Sequence, residues 1–262
     1  SMKRTYVKLL TVAGLTGCFL FTSCRSAQET TARYEISKVE GNMITIDSTW
    51  DANPDKKATT VLKPYKDKVD AMMYEVIGTS EMKMDKGTPE SLLSNLVASV
   101  LQEAAAQVLG KPADMGLVNM GGLRNILPKG DITVGAVFEI LPFENSLCVL
   151  TMKGTDMKRL FKAIASLHGE GVSGIRLEIN KKGELLNATI GGKPVVDDQL
   201  YTVATIDYLA DGNGRMDAFL QAEKRECPED ATLRGLFLDY VRKQTAEGKI
   251  ITSKLDGRIT VK

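Results

Sequence analysis

The chain has 262 residues, of which 43% are hydrophobic and 26% charged, and its formal net charge is +1. That is enough chain for one large domain or two small ones with a sizeable core, in an ordinary globular composition. The near-zero charge, with no arginine-rich tract and no zinc-finger spacing, argues against nucleic acid as a partner.

The N-terminus carries an address. Lys3, Arg4 and Lys8 are the only charged residues among the first 23, so the chain without them has a net charge of −2. Ser1 precedes Met2 and reads as a tag remnant. "LLTVAGLTGCFLF" has the length of a signal-peptide h-region and is too short for a stable membrane span. "FTSC" then ends at Cys24, followed by polar "RSAQETTAR". A small residue before a cysteine at this place has the form of a bacterial lipobox, which predicts cleavage before Cys24 and lipid on its thiol. "LTGC", ending at Cys18, fits the local pattern but would leave "FLF" on the mature chain. An ordinary cleaved signal with an incidental cysteine is the plainer alternative. Residues 1–24 are thus expected to be a lipoprotein signal. The protein is expected in the bacterial cell envelope, on the outer membrane or periplasmic face, held to the membrane by its lipid. Export would permit a disulfide between Cys148 and Cys227, while Cys148 in "SLCVLTM" reads equally well as a buried small hydrophobe.

In chain order, residues 25–33 read as a polar tether. "YEISKVEGNMITIDSTW" suggests a hairpin turning at Gly41-Asn42, and "VLKPYKDKVDAMMYEVIG" an amphipathic helix after Pro64 that ends at Gly78. The strongest helix is "TPESLLSNLVASVLQEAAAQVLG". Leu92, Leu93, Leu96, Val97, Val100, Leu101 and Ala104 share one face, with Thr88 as cap, Pro89 at the first position and Gly110 as stop. "MGLVNM", "AVFEILPF" and "SLCVLTM" read as strands, and "TDMKRLFKAIASL" as a helix. "IRLEINKKGELLNATIGG" reads as a hairpin around Lys182-Gly183, "LYTVATIDYL" as a strand, "ATLRGLFLDYVRKQTAEG" as the last helix and "GRITVK" as a closing strand. The mixture predicts a single α+β domain over 85–262, with residues 25–84 supplying the tether, a hairpin and a linker-like helix packed on it.

Three pieces, "NMGGLR", "GDITVGAVFEILPFEN" and "YTVATIDYLADGNG", carry a resemblance. In this order and spacing, with Phe143 nineteen residues after Arg124, they resemble the C-terminal, substrate-recognition domain of the bacterial 5′-nucleotidase and UDP-sugar hydrolase family, from about Leu62 to Lys262. The resemblance implies a nucleotide or nucleoside ligand and a set of binding residues. Phe143 and Tyr208 would stack on the two faces of the base, Asn145 would bond its edge, and Arg124 would line the site beside Asn119, Gly121, Gly122 and Gly174. The chemistry suits the ligand. A nucleobase is a flat π surface with a polar rim, an aromatic contact is worth about 1–3 kcal/mol per base, and an amide offers both donor and acceptor. Glycines let the backbone approach, and a guanidinium offers a planar fork to an anionic oxygen. Where the family ends the second loop with Gly-Gly-Asp-Gly, this chain reads "DGNGRM". Gly214 stands at the expected acid, leaving Asp211 or Asn213 as the ribose contact. Upstream, where some members carry arginines, only Lys83 or Lys86 could serve.

Each of these residues has a plainer reading: Gly121-Gly122 as a turn, Arg124 in a surface ion pair, Phe143 and Tyr208 as core aromatics, Asn145 as a turn residue. It is their joint spacing that favours a site. His168 reads as a helix-end or surface residue. With a single histidine in the chain, the metal pair that hydrolyses the ester in full-length members has no ligand set here. No metal or other cofactor is expected in this chain, which is expected to be inactive alone. The main expectation is the lipid-anchored recognition subunit of a split 5′-nucleotidase, with a separate metallophosphatase chain as partner. The alternatives are an independent nucleoside-binding lipoprotein and a structural envelope lipoprotein with a decayed site.

Overall fold

A computed structural model of the chain describes residues 36–44, 49 and 52–262. The expected signal segment and Cys24 lie outside these residues, as does part of the expected hairpin; its described stretch, 36–44, forms neither helix nor strand. A compact unit begins at Asp55 and runs to Lys262. It is a mixed α/β fold.

Its first helix, α1 (Lys56–Met73), starts earlier than Pro64 because Asp55 caps it, accepting from the amides of Lys57 and Ala58. Pro64 lies inside, and "VIG" of the predicted tail belongs instead to strand β1 (Val76–Ser80). No residue of α1 is buried. Helix α2 (Leu92–Ala104) is its opposite, with eight buried residues including Leu93, Leu96, Val97, Val100 and Leu101. Each such side chain contributes about 1.5–3 kcal/mol by leaving water. Its cap is Ser91, not Thr88, and the chain stops after the short α3 (Ala106–Leu109) at Gly110, in the left-handed conformation expected of a helix stop.

Next come β2 (Met115–Val118), β3 (Gly130–Thr133) and α4 (Val134–Ile140). The α4 stretch was expected to be a strand. Thr133 caps it by accepting from Ala136 N–H, and it buries Val134, Val137 and Ile140, three apart, which is a helical spacing. Then follow β4 (Leu147–Lys153), α5 (Gly154–Ser166), β5 (Gly171–Ser173), β6 (Ile175–Ile179), β7 (Leu185–Ile190) and β8 (Lys193–Pro194). Gly191 and Gly192 turn the chain from β7 to β8. Last are β9 (Leu200–Ile206), α6 (Asp207–Ala210), β10 (Lys224–Glu226), α7 (Leu233–Ala246) and β11 (Ile259–Val261).

The central sheet has the order β10-β4-β9-β2-β5. A second sheet, β11-β6-β7-β8, holds the predicted hairpin, and β1 pairs with β3. Helix α2 lies on the central sheet over β2 and β5. At Gly116 a Cβ would sit 2.1 Å from the Ala98 carbonyl oxygen, so helix and sheet touch backbone to backbone there. The pairings decide where the site falls. Strands β2 and β9 run parallel, and β4 and β5 run against them. The C-terminal ends of β2 and β9 and the N-terminal ends of β4 and β5 therefore share one edge of the sheet.

Candidate functional site

Four segments leave that edge: Asn119–Arg124 after β2, Pro142–Ser146 before β4, Asp207–Gly214 after β9, and Glu170 before β5. The first three enclose a cleft of ≈ 370 Å³ lined by Asn119, Gly121, Gly122, Phe143, Asn145 and Tyr208. Phe143 is 48% exposed and Tyr208 44%, although both rings are large apolar surfaces that ordinarily gain by burial. Behind Phe143 the floor is apolar, formed by Val118, Leu141, Ile206 and Leu233. The buried Oδ1 of Asn119 has no hydrogen-bond partner among the described residues. An unpaired buried acceptor costs free energy unless something donates to it.

The first wall is backbone. Residues Met120–Gly122 make a single 3-10 turn, closed by Gly122 N–H donating to Asn119 O at 3.1 Å. A Cβ on Gly122 would come within 3.1 Å of Asn119 Oδ1. The turn is held from outside: Lys86 Nζ donates to the carbonyls of Met120 and Leu123, and Glu170 Oε2 accepts the Met120 N–H. Lys86 thus ties the turn together through two of its backbone carbonyls. Burial pushes the Glu170 carboxyl up to about 7, with the Met120 N–H acting in the opposite direction.

The other walls are aromatic. The Phe143 loop is braced by Arg234, which is buried, donates to Leu141 O at 3.0 Å and bonds the Glu144 carboxylate. The Arg234 guanidinium lies 4.1 Å over the Phe138 ring. Tyr208 sits in α6, and Asn213 Nδ2 donates to its carbonyl at 3.0 Å.

Of the predicted site residues, six line the cleft together. Arg124 stands exposed at its rim, its guanidinium 5.9 Å from the Phe143 ring centroid and donating to Gly121 O at 3.3 Å. Asn213 supports Tyr208 from the backbone side. Asp211 is turned to Arg225, whose Nη1 donates to its Oδ1 at 2.7 Å. Gly174 does not line this cleft. It borders a different hollow with Arg176 and Arg258, and its conformation (φ 77°) turns the chain where a Cβ would lie 2.0 Å from Asp114 O. His168 ends α5 in an exposed, left-handed conformation (φ 61°). Cys148 and Cys227 form a disulfide across β4 and the end of β10, so the buried-hydrophobe reading of Cys148 and the disulfide reading both describe it: the residue is fully buried and bonded. Arg225 donates to both sulfurs, to Cys227 Sγ at 3.3 Å and Cys148 Sγ at 3.7 Å. Sequence reasoning misses Glu170, Arg234 and Arg225. None sits in a motif, and the residues that Glu170 and Arg234 hold, Met120 and Leu141, are far away in the chain.

The family model of the 5′-nucleotidase C-terminal domain matches residues 76–221. The chain is 28% identical over 188 residues to "Endonuclease YhcR" of Bacillus subtilis, covering 69% of this chain and 15% of that protein. It is 27% identical over 240 residues to "Cell wall protein Lmo0130" of Listeria monocytogenes, covering 80% and 30%. The crystal structure of a 5′-nucleotidase precursor from Thermus thermophilus superposes with a TM-score of 0.66 at 26% identity, over 80% of this chain and 44% of that one. The chain thus spans less than a third of these curated relatives and under half of the solved one. The matched span takes in all four segments at the sheet edge, and the chain belongs to the family of the 5′-nucleotidase C-terminal domain.

Proposed function

We propose that the chain recognises a nucleoside or nucleotide by its base, as the substrate-recognition part of a 5′-nucleotidase-type hydrolase. The carrying observation is the pair of half-exposed rings, Phe143 and Tyr208, lining one cleft with two amides, Asn119 and Asn145. A base between the rings would remove their apolar faces from water, and the unpartnered Oδ1 of Asn119 would take a donor from its edge or its sugar. Arg124 at the rim would meet a phosphate, where its guanidinium can bond two oxygens. Asp211, held by Arg225, leaves Asn213 as the candidate for the ribose. The hydrolytic step falls to a two-metal unit outside these 262 residues; in the split arrangement that unit is a separate chain, and it should co-purify with this one. An envelope location fits the Cys148–Cys227 disulfide and the relative named as a cell wall protein. Lipid on Cys24 would provide the anchor. Cys24→Ala should then alter processing and envelope fractionation, and a variant that migrates and fractionates like wild type removes the anchor.

Calorimetry with adenosine, uridine and AMP tests the cleft. Phe143→Ala should weaken nucleoside binding by about 1–3 kcal/mol, the worth of one stacked base, with the fold intact because the ring is half exposed. Arg124→Ala should weaken AMP more than adenosine. No binding of any of the three by the wild type, or binding indifferent to Phe143→Ala, sinks the reading.

A further inference from the structure

We propose that Glu170 is a positioning residue for the cleft: its carboxylate fixes the glycine turn by accepting the Met120 N–H, and loss of its charge lets that wall relax. The consequence for ligand rests on the base-site reading above; the effect on the turn does not.

The pairing of β2 with β5 sets Val118 opposite Gly171. Asn119 and Glu170 are the next residues out on the two strands, so the carboxylate arrives at the start of the turn. Met120, whose N–H it takes, lies between two cleft-lining residues, Asn119 and Gly121. The turn has little of its own to hold it, since two of its three residues carry no side chain and its closing bonds are Gly122 N–H to Asn119 O and Leu123 N–H to Met120 O. Glu170 meets it from one strand, and Lys86 and Arg124 reach its carbonyls.

Among the charged groups around Glu170, Lys86 holds the carbonyls of Met120 and Leu123. His168 precedes it by two residues at the exposed end of α5. Gly169 packs on Pro89, next to Glu90, whose carboxylate is taken by Asn95 Nδ2 and the amides of Asp256 and Arg258. Arg258 donates to the Val172 carbonyl. Burial is the first cause of Glu170's raised pKa, about 7. Near neutral pH the group therefore passes between an anion, which is the stronger acceptor, and an acid, which must place a proton of its own.

Stability and binding then move in opposite directions with pH. Between 4.5, its ordinary value, and about 7 the folded chain keeps a proton that the unfolded chain has released. Glu170's contribution to stability therefore falls as pH rises through that window. Ordering of the turn, and with it ligand affinity, rises over the same window. A carboxylate that merely supports the fold would move both together.

The test uses the full chain labelled with ¹⁵N, following the amides of Met120, Gly121 and Gly122 from pH 5.5 to 8.5 without ligand, with adenosine calorimetry and thermal melts at pH 6 and 8. The three amides should titrate with one midpoint near 7. Adenosine should bind about tenfold more weakly at pH 6, as the ionised fraction falls. Glu170→Gln should abolish the amide titration, flatten the affinity profile and melt above wild type at both pH values, by the larger margin at pH 8. His168→Gln should leave the titration in place. Flat amides in the wild type, a titration that survives Glu170→Gln, or one that vanishes in His168→Gln overturns the proposal. Titrating amides with no ligand bound at either pH uphold the positioning role and remove the base-site reading instead.

Discussion

Phe143 and Tyr208 face the same cleft as Asn119, Gly121 and Gly122, but the two sides are held by different chemistry. On the aromatic side the charged supports are guanidinium groups, Arg234 under the Phe143 loop and Arg225 between Asp211 and the disulfide, with the neutral amide of Asn213 on the Tyr208 carbonyl. Arginine keeps its charge at any working pH. On the backbone side the support at Met120 is a carboxyl that titrates near neutrality. The cleft thus combines walls of fixed charge with one wall whose charge can change. Shape and chemistry come from side chains on one side and from main chain on the other, and the role proposed for Glu170 makes the second responsive to pH.

The comparison breaks most severely at the disulfide. Cys148→Ser with Cys227→Ser removes a cross-link over 79 residues, and should lower stability by about 2–4 kcal/mol in a denaturant titration. It also frees Arg225 from both sulfurs, so the Tyr208 side should loosen while the amides of Gly121 and Gly122 stay where they are. Arg234→Met keeps much of the bulk over Phe138 but leaves the Leu141 carbonyl without its charged donor, at a cost of about 1.5–3 kcal/mol. Its binding defect should persist unchanged from pH 6 to pH 8, unlike the wild-type profile expected from Glu170. Gly122→Ala should be the mildest in stability, within about 1 kcal/mol, because only the Asn119 side chain must give way. Nucleoside affinity should still drop several-fold, since the displaced group lines the cleft. Equal losses of affinity and stability in Gly122→Ala would show that the backbone wall has no separate role.

How much of this is legible in the sequence depends on how local the cause is. Helix α2 is legible because seven apolar positions repeat at helical spacing, and five of them prove buried. The stop at Gly110 is legible for the same reason, since a left-handed stop has its own residue. The cleft-lining residues are legible only through the spacing of the Gly-Gly-Leu-Arg and Pro-Phe-Glu-Asn elements, since Phe143 by itself reads as core. Helix α4 misleads because "AVFEI" is rich in residues that favour strands, while the deciding signals, Thr133 as a cap and the three-residue interval from Val134 to Ile140, are spread along the segment. The short strands β3, β5 and β10 carry no pattern long enough to read, since their partners are distant in the chain. Glu170 is hidden by that same fact: in "HGEG" it looks like a solvated loop acid, and only the pairing of β5 with β2 gives it Met120. Gly174 errs in the other direction. The resemblance places it with the site, but it follows the C-terminal end of β5, whereas the cleft lies at that strand's N-terminal end.

At Gly191 and Gly192, in the β7–β8 turn, there is open space where a side chain would begin. The turn belongs to the four-stranded sheet, not to the sheet whose edge carries the cleft. A short peptide inserted there would add chain without entering the core or disturbing any of the four segments that form the site, since exposed loop tips are where insertions are best tolerated. The protein therefore has a natural attachment point for a biotin-acceptor peptide or a dye. Immobilised through it, the chain would report on ligands with its recognition edge unmodified.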